Sequence, residues 1–93
     1  MTPEQAIIRG EGARRILDDQ IFRESMDKLE ADICEAWAQM PIRDKEGQHE
    51  LLLMMQTARK FKALLQTILQ TGEYEKSQLQ KPQLKRVLGR FGI

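Results

Sequence analysis

The chain has 93 residues, 31% of them charged, and a net charge of +1. A chain of this length forms one small domain, and the core of such a domain is only marginally stable unless the chain forms an oligomer. No run approaches the roughly 20 apolar residues of a membrane span, and the opening segment MTPEQAIIRGEG lacks an apolar centre of signal-peptide length, so we expect a cytosolic protein without a membrane partner. The single cysteine, Cys34, excludes an intramolecular disulfide framework and fits a reducing compartment.

The predicted fold class is all-α, because the chain is rich in residues that lose little entropy in helices. Thr2 as N-cap and Pro3 at the first helical position predict a first helix, which Gly10 and Gly12 should keep short. From Ala13 a long second helix is predicted to run to Pro41. Its apolar positions are spaced by threes and fours: Ile16, Leu17, Ile21, Phe22, Met26, Leu29, Ile33, Ala36, Trp37 and Met40.

After the polar turn IRDKEG, Asp44 or a neighbour should cap a second long helix that ends near Thr71, with Gly72 as its C-terminal glycine. Two helices of similar length joined by a short turn predict an antiparallel helical hairpin. Pro82 is predicted to open a short final helix, with Leu84, Val87, Leu88 and Phe91 as its apolar side. We expect residues 1–75 to form the hairpin domain with its N-terminal helix, and residues 76–93 to form a C-terminal tail.

Charge is distributed unevenly between these two parts. The tail carries five cations and no acids: Lys76, Lys81, Lys85, Arg86 and Arg90. The first 75 residues carry ten cations against fourteen acids, a side-chain charge of about −4. Because nucleic-acid affinity depends on neutralising phosphates, we expect no DNA binding by the body of the protein.

The segment LLLMMQTARKFKALLQTIL, residues 51–69, carries more apolar surface than one neighbouring helix could bury. One broad seam contains Leu51, Met54, Met55, Ala58, Phe61, Leu65, Ile68 and Leu69. Leu53 and Leu64 widen this seam. The surplus predicts a homo-oligomer.

The other face of the same helix is a candidate ligand surface. It carries cations beside small residues, namely Arg59, Lys60, Ala63 and Thr67. An ammonium and a hydroxyl at this spacing favour phosphate oxygens, and Ala63 permits close approach across a symmetry axis. An ordinary solvated face is the alternative interpretation of the same spacing.

Arg14 and Arg15 are further candidates, because cations at the start of a predicted helix oppose its dipole. A ligand or partner would compensate them, although an exposed pair costs little. His49, the only histidine, lies among polar residues, and Cys34 has no histidine partner at helical spacing. With no glycine-rich phosphate loop, we expect neither an enzyme nor a cofactor.

Three segments carry a family resemblance: GARRILDDQIF, EADICEAWAQMPIRDKEG and ARKFKALLQTILQTGE. Over about residues 12–73 the chain resembles small phage proteins built on the helical hairpin domain of anti-CBASS and anti-Thoeris sponges. It has no room for the β-rich portion of the anti-Thoeris members, so it is more similar to the anti-CBASS sponges. The resemblance implies a compact homohexamer that sequesters cyclic dinucleotides and cyclic trinucleotides at separate intersubunit pockets without cleaving them. CBASS effectors in the host cytoplasm would then lose their activating signal.

The resemblance also implies binding residues. The family's dinucleotide pockets use an N-terminal aromatic residue and a lysine from the first long helix; Lys28 matches the lysine, but no aromatic residue precedes Phe22. The trinucleotide site uses a basic residue and a threonine on the second long helix, which Arg59, Lys60 and Thr67 match. The alternative class of function is a small virion or assembly protein, in which the hairpin is an interaction module and the basic tail binds a partner or DNA.

Overall fold

A computed structural model describes the backbone of residues 1–90 and the side chains of residues 1–79. Within that part of the chain there are three helices and no strand, which confirms the all-α class. The helices are α1 (Pro3–Asp18), α2 (Gln20–Gln39) and α3 (Lys45–Arg90). None of the helices described has a stretch that is both apolar and long enough to span a bilayer.

The start of α1 is a capping box, as the sequence predicts for Thr2 and Pro3. The Thr2 hydroxyl accepts a hydrogen bond from the Gln5 backbone N–H at 3.1 Å, and the Gln5 side chain accepts one from the Thr2 backbone N–H at 3.0 Å. The prediction that Gly10 and Gly12 interrupt this helix is wrong, because α1 continues through both glycines to Asp18. Gly10 is buried against α3, so tertiary packing overrides its poor helix propensity.

Asp19 separates α1 from α2, so the predicted long helix from Ala13 to Pro41 is wrong at its start. The Asp19 backbone is extended, with φ −66° and ψ 126°, and its carboxylate accepts a hydrogen bond from the Phe22 N–H at 2.8 Å. An aspartate in this position satisfies an N–H group that would otherwise lack a partner at a helix start. The predicted end is correct, because α2 stops at Gln39, two residues before Pro41.

The turn between α2 and α3 is fixed by side-chain hydrogen bonds to the backbone. The Asp44 carboxylate accepts from the Gly47 N–H at 2.9 Å, which confirms Asp44 as the cap of α3. The Gln48 side-chain amide donates to the carbonyl oxygens of Pro41 at 3.2 Å and Ile42 at 2.9 Å. These bonds hold the loop over the first turn of α3.

The predicted stop at Gly72 and the predicted separate final helix are both wrong, because α3 is one helix of 46 residues that ends at Arg90. Gly72 is buried in the contact with α1, where the crossing requires a glycine. The chain around Pro82 belongs to α3, and this helix crosses residues 75 and 76 without a break. The apolar side predicted for the final helix lies outside the described side chains: Leu84, Val87, Leu88 and Phe91.

Both α1 and α2 lie against α3, and the core between them is thin. Six hydrophobic residues are buried in the described part of the chain: Ala6, Ala13, Met26, Ile33, Leu51 and Ala58. Half of these are alanines, and none of the described large side chains is fully buried. The Phe22 and Phe61 rings also meet across α2 and α3, with centroids 6.2 Å apart.

Candidate ligand-binding surfaces

The candidate ligand surface on α3 is exposed, with Arg59, Lys60, Ala63 and Thr67 all open to solvent. The Thr67 hydroxyl donates a hydrogen bond to the Ala63 carbonyl at 3.0 Å, one turn earlier in the same helix. A hydroxyl has a single proton to donate. Thr67 would therefore have to rotate away from Ala63 before it could donate to a phosphate oxygen.

Thr67 also borders a small cavity between α1 and α3, with a volume of about 130 Å³. Arg9 of α1 and Thr71 of α3 border the same space, together with apolar atoms of Ile68 and Met1. Arg9 could not be predicted as a site residue from the sequence, because helical periodicity does not reveal which residues of two different helices become neighbours. The structure thus adds a cation of α1 to the surroundings of Thr67.

Lys28, on α2, is an exposed side chain that forms an ion pair with Asp32. The ammonium nitrogen and the carboxylate oxygen are 2.5 Å apart, and the two residues are one helical turn apart. Exposed pairs of this kind contribute little to stability. A ligand with stronger charge-assisted contacts would compete with Asp32 at small cost.

The prediction that Arg14 and Arg15 open a helix and oppose its dipole is wrong, because both lie in the second half of α1 and Arg15 is in its last turn, where cations are favoured. Arg14 pairs with Glu73 across α1 and α3, and the neighbouring Arg15 is exposed. Arg14 also borders a cavity of about 90 Å³, with Lys76 on the opposite wall. The opposite charge that Arg14 meets is thus a carboxylate of the protein itself. Within one chain the seven predicted ligand residues are distributed over all three helices: Arg14 and Arg15 on α1, Lys28 on α2, and Arg59, Lys60, Ala63 and Thr67 on α3.

An open apolar groove follows the contact between α2 and α3. Its volume is about 510 Å³, and its walls include Leu29, Leu53, Met54 and Phe61. The last three side chains are 48%, 50% and 50% exposed. A second apolar space of about 270 Å³ lies nearer the turn, beside the half-exposed Trp37. The surplus of apolar residues predicted for residues 51–69 is therefore present as exposed surface.

His49 and Cys34 are both exposed. Among the residues that the structure describes, no three His, Cys, Asp or Glu side chains are grouped so as to hold a metal ion.

Comparison with known proteins adds no relative: no family model, no curated protein and no solved structure matches the chain. Membership of the sponge family is therefore a proposal.

Proposed function

We propose that this protein is a homo-oligomer, a hexamer by its resemblance, that binds and sequesters cyclic dinucleotides, cyclic trinucleotides or both without cleaving them. In the cytoplasm of a phage-infected host this binding would block CBASS signalling. The observation that carries the proposal is the half-exposed apolar face of α3, which lies on the same helix as the exposed Arg59 and Lys60. Assembly through that face would place cations of several subunits around shared pockets.

The thin core supports assembly. A single chain buries three alanines and three larger hydrophobic residues in its described part, yet leaves Leu53, Met54 and Leu64 about half exposed. Burying one large apolar side chain stabilises a protein by roughly 1.5–3 kcal/mol. A second copy packed on α3 would supply this stabilisation, which a core of this size needs.

The order of contacts between the helices supports the hairpin as the building block. Ile33 lies near Leu51 at the beginning of α3, and Phe22 meets Phe61 further along. Gly10 meets Gly72 further still. As residue numbers fall along α2 and α1, partner numbers rise along α3, which is the order of antiparallel segments.

The charge of the ligand class fits the few cations that each chain offers. A cyclic oligonucleotide carries two or three phosphates, and charge-assisted hydrogen bonds to phosphate are roughly twice as strong as neutral ones. Arg59 and Lys60 contribute two adjacent cations per subunit, and Arg9 lies beside Thr67. Symmetry repeats these groups, so a shared pocket gains positive charge although the body of each chain is acidic.

Calorimetric titration of the purified protein with cyclic GMP-AMP, cyclic di-AMP and cyclic tri-AMP tests this proposal. We expect tight binding with a stoichiometry below one ligand per chain, because the pockets are shared. The ligand released by heating should be intact by chromatography. Lys60→Glu combined with Thr67→Val should weaken cyclic tri-AMP binding at least tenfold, since it reverses one charge and removes one hydroxyl.

Thr67→Ser is the matched control, because it keeps the hydroxyl that donates to Ala63. We expect it to bind cyclic tri-AMP like the unmodified chain. Circular dichroism should show equal helicity for all variants. Equal affinity of the double variant and the unmodified chain would remove Lys60 and Thr67 from the site, and no binding of any ligand in the panel would refute sequestration.

One observation favours the alternative, an assembly protein. The unbroken α3 continues from the body into the basic tail and ends only at Arg90, so the tail backbone is a helical extension. Removal of residues 80–93 discriminates the two functions and spares the half-buried Glu75 and Gln78. Sequestration predicts unchanged binding of cyclic oligonucleotides in calorimetry. A tail-centred function predicts loss of partner or DNA binding, although the remaining residues stay helical.

A further inference from the structure

A cleft opens where α1 meets α2 at Asp19, above the middle of α3. Its volume is about 390 Å³, within the roughly 300–1,000 Å³ that small-molecule sites occupy. Residues of all three helices line it. Its floor includes the half-buried Phe22 ring and the buried Met26.

Charged side chains of both signs border this cleft without pairing. Asp18 ends α1, Arg23 and Asp27 are one turn apart on α2, and Lys62 is half-buried on α3. None of the four has an ion-pair partner within 4.0 Å among the described side chains. Two cations and two carboxylates thus share one small space while their charges remain available.

The neighbouring turn of α2 shows that pairing is available at the same spacing. Lys28 and Asp32 stand one turn apart in the same order as Arg23 and Asp27, and they pair at 2.5 Å. Arg23 and Asp27 border the cleft and do not pair. A ligand that met both side chains would gain contacts for which no intramolecular pair has to be broken.

From this arrangement we infer that the cleft binds a nucleoside monophosphate with an exocyclic amino group, such as AMP. The phosphate would meet Arg23 and Lys62, the planar base would lie on Phe22 and Met26, and the amino group would donate to the Asp27 carboxylate. A simple anion satisfies only the cations and is repelled by the carboxylates. The carboxylate of an aromatic amino acid offers a single negative charge to the two cations, whereas a phosphate monoester carries about −1.5 to −2.

This inference goes beyond sequestration and does not depend on it. Arg23 and Lys62 are not among the residues proposed for cyclic oligonucleotides. The two sites therefore fail or succeed separately in binding experiments.

The test is a titration of the full chain with AMP, which is monitored by calorimetry and by the NMR chemical shifts of the Phe22 ring. We expect saturable binding with one AMP per chain and at least a tenfold weaker affinity for Arg23→Gln combined with Lys62→Gln. Arg43→Gln combined with Lys45→Gln is the matched control, because it removes one exposed arginine and one exposed lysine near the turn. This control should bind AMP like the unmodified chain.

Asp27→Asn tests whether the Asp27 carboxylate recognises the amino group of the nucleobase. IMP has a carbonyl in place of the amino group, so the unmodified chain should prefer AMP to IMP, and Asp27→Asn should reduce that preference. Circular dichroism checks that each variant keeps its helicity. Absence of AMP binding at millimolar concentration would overturn the inference, as would equal affinity for inorganic phosphate or for phenylalanine. Retained AMP affinity in the Arg23 and Lys62 double variant would overturn it too.

Discussion

Gly10→Ala is expected to destabilise the fold by about 1–2 kcal/mol, because inserting an atom into this packed contact costs about 2–3 kcal/mol and the helix preference for alanine offsets about 1 kcal/mol of that cost. A Cβ at Gly10 would lie 2.9 Å from the Gly72 Cα and 3.3 Å from the Ile68 carbonyl oxygen. Both neighbours are backbone atoms, so no side-chain rotation relieves the overlap and α1 must move away from α3. Thermal unfolding followed by circular dichroism should show the melting temperature falling by roughly 4–8 °C for each kcal/mol lost.

Gly12→Ala is the matched control, since both glycines lie inside α1. A Cβ at Gly12 would meet only the end of the Arg15 side chain, at 3.7 Å. Alanine is favoured over glycine in a helix by about 0.8–1 kcal/mol, so this variant should melt higher than the unmodified chain. Equal changes in stability for Gly10→Ala and Gly12→Ala would contradict the close contact between α1 and α3.

The contact between α1 and α3 can also be tested by a substitution in α3. A Cβ at Gly72 would lie 2.8 Å from the Ala6 carbonyl oxygen and 2.8 Å from the Gly10 Cα. Because the two glycines share one crossing, a chain carrying both alanines should lose less stability than the two single losses added together. Once the helices have separated for the first methyl group, much of the room for the second already exists.

Sequence signals that act within one turn of helix predicted the structure well. Thr2 and Asp44 cap helices because their side chains accept hydrogen bonds from N–H groups three residues later, and Pro41 limits α2 through its own ring. Each of these effects needs no information about the rest of the fold. The all-α class follows from composition for the same reason.

Signals whose meaning depends on a distant helix were misjudged. Gly10 and Gly72 are poor helix formers in isolation, but each lies in a helix because the other helix packs directly against it. Asp19 is the opposite case. It is a local helix cap, but the apolar periodicity from Ile16 to Phe22 indicated one continuous helix. Apolar residues spaced by threes and fours do not exclude a one-residue break between two helices. Both helices can face the same partner helix, so the spacing continues across the break.

The candidate site shows the same division. Spacing along one helix placed Arg59, Lys60, Ala63 and Thr67 on the exposed surface of α3. It could not place Arg9 beside Thr67, nor bring Arg23 and Lys62 to one cleft, because those neighbours come from different helices. Which of the cations act together is decided by helix packing, and between subunits by the assembly.

The largest functional effect is expected for Leu53→Glu combined with Leu64→Glu, which should dissociate the oligomer. Both leucines are about half exposed in one chain, so the substitutions leave the core of the single chain intact and helicity should be kept. Two carboxylates on the apolar face of α3 would lose the stabilisation of burial and repel their counterparts in neighbouring copies.

Sedimentation or light scattering should then report a lower mass, and calorimetry should report loss of cyclic oligonucleotide binding, because a shared pocket needs more than one subunit. The single variant Ser77→Glu places the same charge at an exposed polar position of α3 well beyond Thr67, and should change neither the mass nor the affinity. If the double variant kept the mass of the unmodified protein, the apolar face would not be the subunit interface. If it lost mass but kept its affinity, each binding pocket would belong to a single chain, and neighbouring subunits would contribute no positive charge to it.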